Sequence, residues 1–270
     1  MNRKEIYQEI RRKKSFLCVG LDSDIQKLPS VVKKDPDPVF RFNKEIVDAT
    51  HEYAVAYKPN LAFYEALGPR GMVSLEKTVD YIRSVDPSLF IIADAKRGDI
   101  GNTANQYARA FFVHFDFDAI TLSPYMGRDS IEPFLDYPDK WVIILALTSN
   151  RGAEDFEKKQ LLGSTYLYEE VIQSCMNWGN PDNMMFVVGA TQSEYIRNIR
   201  ELAPDNFFLV PGVGAQGGDL ESVIESGQNS MGGLLINSSR GIIFASGEAD
   251  FGEQAALAAA TLQKNMAKYI

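Results

Sequence analysis

The stretch IIADAKRGDI at 91–100 places Asp94, Lys96, Arg97 and Asp99 within six positions. Extended backbone sends alternate side chains to one face, so a strand here turns Asp94 and Lys96 the same way. Asp99 comes three residues later, where the chain leaves the strand. A second lysine, Lys58, interrupts the apolar run AYKPNLAF. A lysine there is costly to bury unless a carboxylate meets it. Lys58, Asp94, Lys96 and Asp99 form an alternating Lys–Asp–Lys–Asp array, whose opposite charges keep one another ionised without a metal. Buried ion pairs are poor stabilisers, so the array reads as chemistry rather than as a structural network.

Other polar groups fall at the ends of apolar runs. CVGLDSD carries Asp22, with Asp24 just beyond. A carboxylate at that point either accepts hydrogen bonds from sugar hydroxyls or caps a turn. LVPGVGAQGGD has four glycines between Gly212 and Gly218. Such a loop lets backbone N–H groups approach an anion closely. LINSSRGI adds Ser238, Ser239 and Arg240, whose planar fork suits two phosphate oxygens. The only histidines, His51 and His114, lie in helical patterns. That disfavours histidine acid–base catalysis and a histidine metal site, and no GxSxG nucleophile motif occurs.

Eight nearly continuous apolar runs carry these groups, at 16–22, 55–61, 89–96, 117–124, 141–149, 183–190, 207–214 and 231–240. Such runs suit strands buried on both faces of a parallel sheet. Helical patterns separate them at 37–53, 74–85, 103–115, 128–135, 164–178, 193–202 and 219–225, and 248–269 follows the last. The expected fold is an α/β protein, a (β/α)8 TIM barrel forming a single domain over 1–270, with an extra N-terminal helix at 2–12. An open doubly wound sheet is disfavoured because GxGxxG is absent after the first strand. In a barrel, charged residues at the C-terminal strand ends are the functional ones, and the loops after strands seven and eight bind phosphate. The polar segment 150–163 follows the fifth strand, where a mobile lid would sit.

Composition narrows the partners. The 270 residues include 28 Lys and Arg against 36 Asp and Glu, a net charge of −8. An acidic chain of this kind is not a general nucleic-acid binder. Cys18 and Cys175 are too few for a disulfide scaffold and read as buried thiols in a reducing compartment. The polar start MNRKEIYQEIRRKK is followed by no apolar signal region, and no run is long enough to span a membrane. The cytoplasm is the expected location.

Taken together, the residues resemble the orotidine 5'-phosphate decarboxylase family. Asp94-Ala95-Lys96-Arg97-Gly98-Asp99-Ile100 fits that family's DxKxxD signature followed by Ile, Lys58 fits its preceding-strand lysine, and PGVGAQGGD with Arg240 fits its phosphate loop. KPNLAFYEALG and LTSNRGAEDF look like the longer bacterial branch, type 2, although Arg151-Gly152 stands where that branch often has Pro-Gly. Related Mg²⁺-dependent hexulose-phosphate synthases and keto-gulonate-phosphate decarboxylases share DxKxxD. Lys58 separates this chain from those sugar-phosphate lyases, which remain the alternative. The resemblance implies cofactor-independent decarboxylation of orotidine 5'-phosphate to UMP in pyrimidine biosynthesis, with no metal. Lys96 is then the proton donor and Asp94 faces the substrate carboxylate. Lys58 holds the array and reaches the ribose, and Asp22 binds a ribose hydroxyl. Ser149 reads the pyrimidine edge, with Ser123 a weaker candidate. Gln216 and Arg240 bind the phosphate, with backbone N–H groups near Gly217 and Ser239. Asp99 and Thr103 come from the partner subunit of a homodimer.

Overall fold

The computed structural model describes residues 1–190, 193–213 and 219–270. Eight parallel strands close into a barrel in sequence order: β1 (Leu17–Leu21), β2 (Ala56–Pro59), β3 (Phe90–Arg97), β4 (Ala119–Leu122), β5 (Trp141–Leu147), β6 (Met184–Val188), β7 (Phe208–Pro211) and β8 (Leu234–Ser238). Closure joins β1 to β8, with Cys18 opposite Asn237 and Val19 opposite Ser238. The expected (β/α)8 barrel is therefore present, and each strand lies inside its apolar run or within one residue of it. Both faces of the strands are covered, one by the barrel interior and the other by helices, so continuous Val, Ile, Leu and Phe are tolerated without alternation. The core runs through the barrel and into the helical layer, where Phe42 stacks on Phe244 and Phe251 at 5.5 and 5.2 Å.

The expected N-terminal helix is α1 (Arg3–Lys13). A reciprocal box starts it: Asn2 accepts from the Glu5 amide and Glu5 accepts from the Asn2 amide. The remaining helices in chain order are α2 (Pro38–Thr50), α3 (Leu61–Glu65), α4 (Pro69–Val85), α5 (Gly101–Arg109), α6 (Glu132–Leu135), α7 (Leu167–Met176), α8 (Ser193–Leu202), α9 (Leu220–Gly227), α10 (Arg240–Ile243) and α11 (Phe251–Met266).

Helix ends depart from the sequence pattern for identifiable reasons. α4 begins at Pro69, five residues before the periodicity suggests, because Gly68 turns at φ 63° and a proline suits the first helical position. The stretch 128–135 breaks into a 3-10 turn, Arg128–Ser130, and the short α6, which has Pro133 in its first turn. α5 runs into a wider π turn, Ala110–His114, which buries Phe111 and Phe112.

The barrel's N-terminal end is tied by Arg200 on α8. Its guanidinium donates to the carbonyls of Gly227 at 2.6 Å, Asn206 at 2.7 Å, Ala203 at 2.9 Å and Gly233 at 3.0 Å. It also lies 3.7 Å over the Phe208 ring. One planar fork thus holds the C-terminal end of α9 and the starts of β7 and β8 together. Arg200→Ala leaves these carbonyls without their donor and should lower stability by about 3 kcal/mol. A urea titration should show the midpoint falling at unchanged slope. Arg200→Lys should recover only part, because an ammonium cannot span the same carbonyls. A midpoint unchanged in the alanine variant would show that the fork adds nothing.

Candidate active site

At the C-terminal end of the barrel lies a cavity of about 330 Å³. Asp22, Lys58, Asp94 and Lys96 reach it from β1, β2 and β3. Ser149, Ser239 and Arg240 reach it from the tips of β5 and β8. Residues spread over more than 200 positions of sequence therefore face one space.

Asp94 is the centre. Lys58 Nζ lies 2.5 Å from Asp94 Oδ2, and the Lys96 ammonium pairs with Oδ1. Burial by itself would raise the Asp94 pKa, but the two ammonium groups outweigh it and hold the carboxyl at about 2. Burial would likewise strip Lys58 of its proton. Asp94 and Asp22 overcome that, and its pKa is raised. The Lys58 ammonium is almost wholly enclosed, whereas the Lys96 side chain is 52% exposed and faces the cavity mouth.

Adjacency of Asp94 and Lys96 does not come from strand alternation. Ala93 pairs with Ile120 and Arg97 with Leu122, so β3 carries two extra residues against β4. Within this bulge Lys96 adopts φ 48°, in the left-handed region that non-glycine residues avoid. The amides of Ala95 and Lys96 both donate to Thr121 Oγ1, at 3.0 and 2.9 Å. Arg97 turns outward instead. It pairs with Glu65 and lies over the rings of Tyr107 and Phe111, which removes it from the site.

The array within one chain has three members. Past Gly98 the backbone has left the strand, and Asp99 lies outside the cavity lining with its carboxylate accepting from the Ile100 amide at 2.8 Å. Thr103 is exposed on α5, also away from the cavity. Ser123 stays outside the lining as well, its amide held by the Arg97 carbonyl. Asp24 closes a turn by accepting from the Gln26 amide. Gln216 and Gly217 lie outside the described residues.

Beside this charged group, the ends of β1 and β8 contribute further polar atoms to the cavity wall. Asp22 Oδ1, Asn237 Oδ1 and Ser239 Oγ are buried without a hydrogen-bond partner among the described residues. All three residues line the cavity. Unpaired buried polar atoms are costly, and at a cavity wall they point to a polar ligand. Gly20 makes room for two of them, since a Cβ there would lie 2.8 Å from Ser239 Cβ and 3.0 Å from Asn237 Oδ1. Arg240 is exposed at the start of α10, with no carboxylate partner among the described residues.

The segment 150–163 has local structure of its own. It holds a 3-10 turn at Arg151–Asp155 and an isolated bridge from Gln160 to Tyr166. Glu157 ties it to the site: its carboxylate accepts from the Thr148 amide at 2.7 Å and from the Thr148 hydroxyl at 2.9 Å. Thr148 precedes Ser149, which fits against β6 because residue 189 is glycine. A Cβ at 189 would sit 2.8 Å from the Ser149 amide nitrogen.

Thr121, Asn237, Glu157 and Gly20 are absent from the sequence-derived set. Asn237 had a signal, a polar residue inside an apolar run. Thr121 had none, because threonine is ordinary in strands. The thiols of Cys18 and Cys175 are both pushed up to about 12 by burial, which keeps them protonated and unreactive. Neither histidine lines the cavity. Among the described residues, no helix is long and apolar enough to cross a membrane.

Known proteins are similar to this chain in sequence and fold. The family model for the orotidine 5'-phosphate decarboxylase / HUMPS family matches residues 15–255. An orotidine 5'-phosphate decarboxylase of Bacteroides fragilis is 53% identical over 270 residues, covering 100% of this chain and 98% of that protein. One of Parabacteroides distasonis is 54% identical, covering 100% and 96%. Among solved structures, an OMP decarboxylase of Leishmania donovani superposes with a TM-score of 0.85 at 36% identity, over 100% of this chain and 99% of that one.

The charge balance at Asp94 sets a pH dependence. Its pKa is depressed in the fold, so its stabilising contribution is present above the ordinary value of 3.8 and is lost as pH falls towards about 2. Lys58→Met removes one ammonium and lets the Asp94 pKa rise. Wild type should therefore lose about 2 kcal/mol relative to Lys58→Met as pH falls from about 4 to about 2. Denaturant titrations of both proteins across that range check it, and a stability difference that stays constant with pH would refute it.

Proposed function

The chain belongs to the orotidine 5'-phosphate decarboxylase / HUMPS family, and on that premise we propose that it converts orotidine 5'-phosphate to UMP and CO2 without a cofactor. The observation that carries this reading is the Asp94 carboxylate held between two ammonium groups in the cavity. The C6–carboxylate bond breaks, CO2 leaves, and the electron pair stays in an sp² orbital at C6. No carbonyl lies in position to delocalise that pair, so stabilisation must be electrostatic. The Lys96 ammonium faces the developing carbanion and then delivers its proton to C6. Solvent re-protonates the amine.

Asp94 sits beside the substrate carboxylate, and its like charge opposes the ground state more than the transition state. Lys58 keeps Asp94 ionised and reaches the ribose, whose hydroxyl Asp22 accepts. Ser149 reads the pyrimidine edge. Arg240, the Ser239 amide and the Gln216–Gly217 segment take the phosphate. Phosphate binding far from C6 is then available to organise the charged groups. Both Asp94 oxygens are engaged by ammonium groups, which supports this reading over the Mg²⁺-dependent branch of the family. A spectrophotometric assay with orotidine 5'-phosphate tests it, and activity that EDTA abolishes would favour that branch.

The chain works as a single domain in the cytoplasm and as a homodimer. Asp99 and Thr103 serve the partner's cavity in this reading. Supporting it, both lie outside their own chain's cavity, and Gly98 lets the backbone turn away just before Asp99.

Lys96→Ala is expected to abolish turnover while UMP binding stays largely intact, since the ammonium acts in the transition state. Near-normal kcat would remove its role. Sharing of Asp99 is tested by mixing Lys96→Ala chains with Asp99→Ala chains after dissociation. In a hybrid dimer one site lacks both groups and the other is intact, so roughly a quarter of all sites should recover. Hybrids that form without any recovery would place Asp99 in its own chain's site.

A further inference from the structure

We propose that Thr121 is the positioning residue that sets the Lys96–Asp94 geometry, an inference that rests on the decarboxylase reading. Thr121 lies on β4 and is buried, 1% exposed. It is not part of the charged array, yet its single oxygen touches three parts of it. Oγ1 accepts from the Ala95 amide at 3.0 Å and from the Lys96 amide at 2.9 Å. Its own hydroxyl proton goes to Asp94 Oδ1 at 3.2 Å.

Successive amides of a regular strand point to opposite sides. Two of them meet on one atom here only because β3 bulges between Ala93 and Arg97 and Lys96 turns left-handed. A left-handed lysine persists where its surroundings compensate the strain. Thr121 does this, because its hydroxyl oxygen receives both amides where the bulge interrupts the regular pairing of β3 with β4. The same oxygen directs its proton to the carboxylate oxygen that Lys96 also holds. Backbone turn, carboxylate orientation and ammonium position are thus set by one hydroxyl.

Valine has the shape of threonine without the oxygen, and serine keeps the oxygen without the methyl. Thr121→Val should lower kcat on the order of a hundredfold, the loss expected of a displaced catalytic group. UMP affinity should change little, since Thr121 acts through Lys96 and Asp94. Thr121→Ser should restore turnover to near the wild-type rate. In exchange measurements by NMR, the Ala95 and Lys96 amides should lose protection in the valine variant and keep it in the serine variant.

Near-wild-type kcat in Thr121→Val would overturn the proposal. So would a parallel fall of kcat and UMP affinity, which would mean that the cavity had only lost its shape. Equal damage in Thr121→Ser would assign the effect to the methyl group. If the wild-type protein fails to decarboxylate orotidine 5'-phosphate, the functional reading falls. Amide exchange then still decides whether Thr121 holds the turn: unchanged protection in the valine variant would refute it.

Discussion

A carboxylate inside a barrel of apolar strands loses its hydration, and Asp94 keeps its charge because Lys58 and Lys96 stand on either side of it. The dependence is mutual. Lys58 is enclosed and stays protonated because Asp94 and Asp22 face it. Removing Lys58 leaves the buried Asp94 with Lys96 as its one ammonium partner, and removing Asp94 takes from the enclosed Lys58 the carboxylate it bonds, so either change under-compensates a buried charge. The arrangement therefore exists before a ligand arrives. A group that must stabilise a localised carbanion gains from being fixed in advance, because no solvent has to reorganise at the moment of reaction.

The local backbone follows from that constraint. β3 could deliver Asp94 as a regular strand, but bringing Lys96 onto the other carboxylate oxygen requires the bulge and the left-handed turn. Neighbouring elements hold this strained piece. Thr121 receives the displaced amides, and Arg97 anchors the next residue outward between Glu65 and two aromatic rings. After the fifth strand Glu157 plays a comparable part, tying the polar segment back onto Thr148 beside Ser149.

Buried polar groups occur at both ends of the barrel. At the N-terminal end Lys13 is buried but donates to the carbonyls of His51 and Ala54, and Asp118 accepts from Arg83 and the Ile91 amide. Arg200 is similarly saturated by carbonyls. At the C-terminal end Asp22, Asn237 and Ser239 have atoms at the cavity wall without a hydrogen-bond partner among the described residues. Arg3 Nε and Arg83 Nε are also buried without a hydrogen-bond partner among the described residues, but they lie away from the cavity; only the unpaired atoms that line it point to a polar ligand.

Periodicity, with no dinucleotide-type glycine motif after the first run, made the barrel legible. Eight apolar runs with helical patterns between them allow few other closures, and burial on both faces is a property that composition records directly. Lys58, Asp94, Lys96 and Arg240 were legible for the opposite reason, since charges in apolar runs or at their tips have no packing explanation. What the tertiary structure decided was which groups meet. Asp94 and Lys96 touch through a bulge that depends on the register of β3 against β4, some 25 residues away in sequence. Asp99 belongs to the same short motif yet lies outside the cavity, because the backbone leaves the strand at Gly98. Thr121, an unremarkable strand residue in sequence, bonds Asp94 and the Ala95 and Lys96 amides. Residue type and spacing carry burial preference and charge, but contacts between strands depend on register and backbone strain, which arise only when the strands pack.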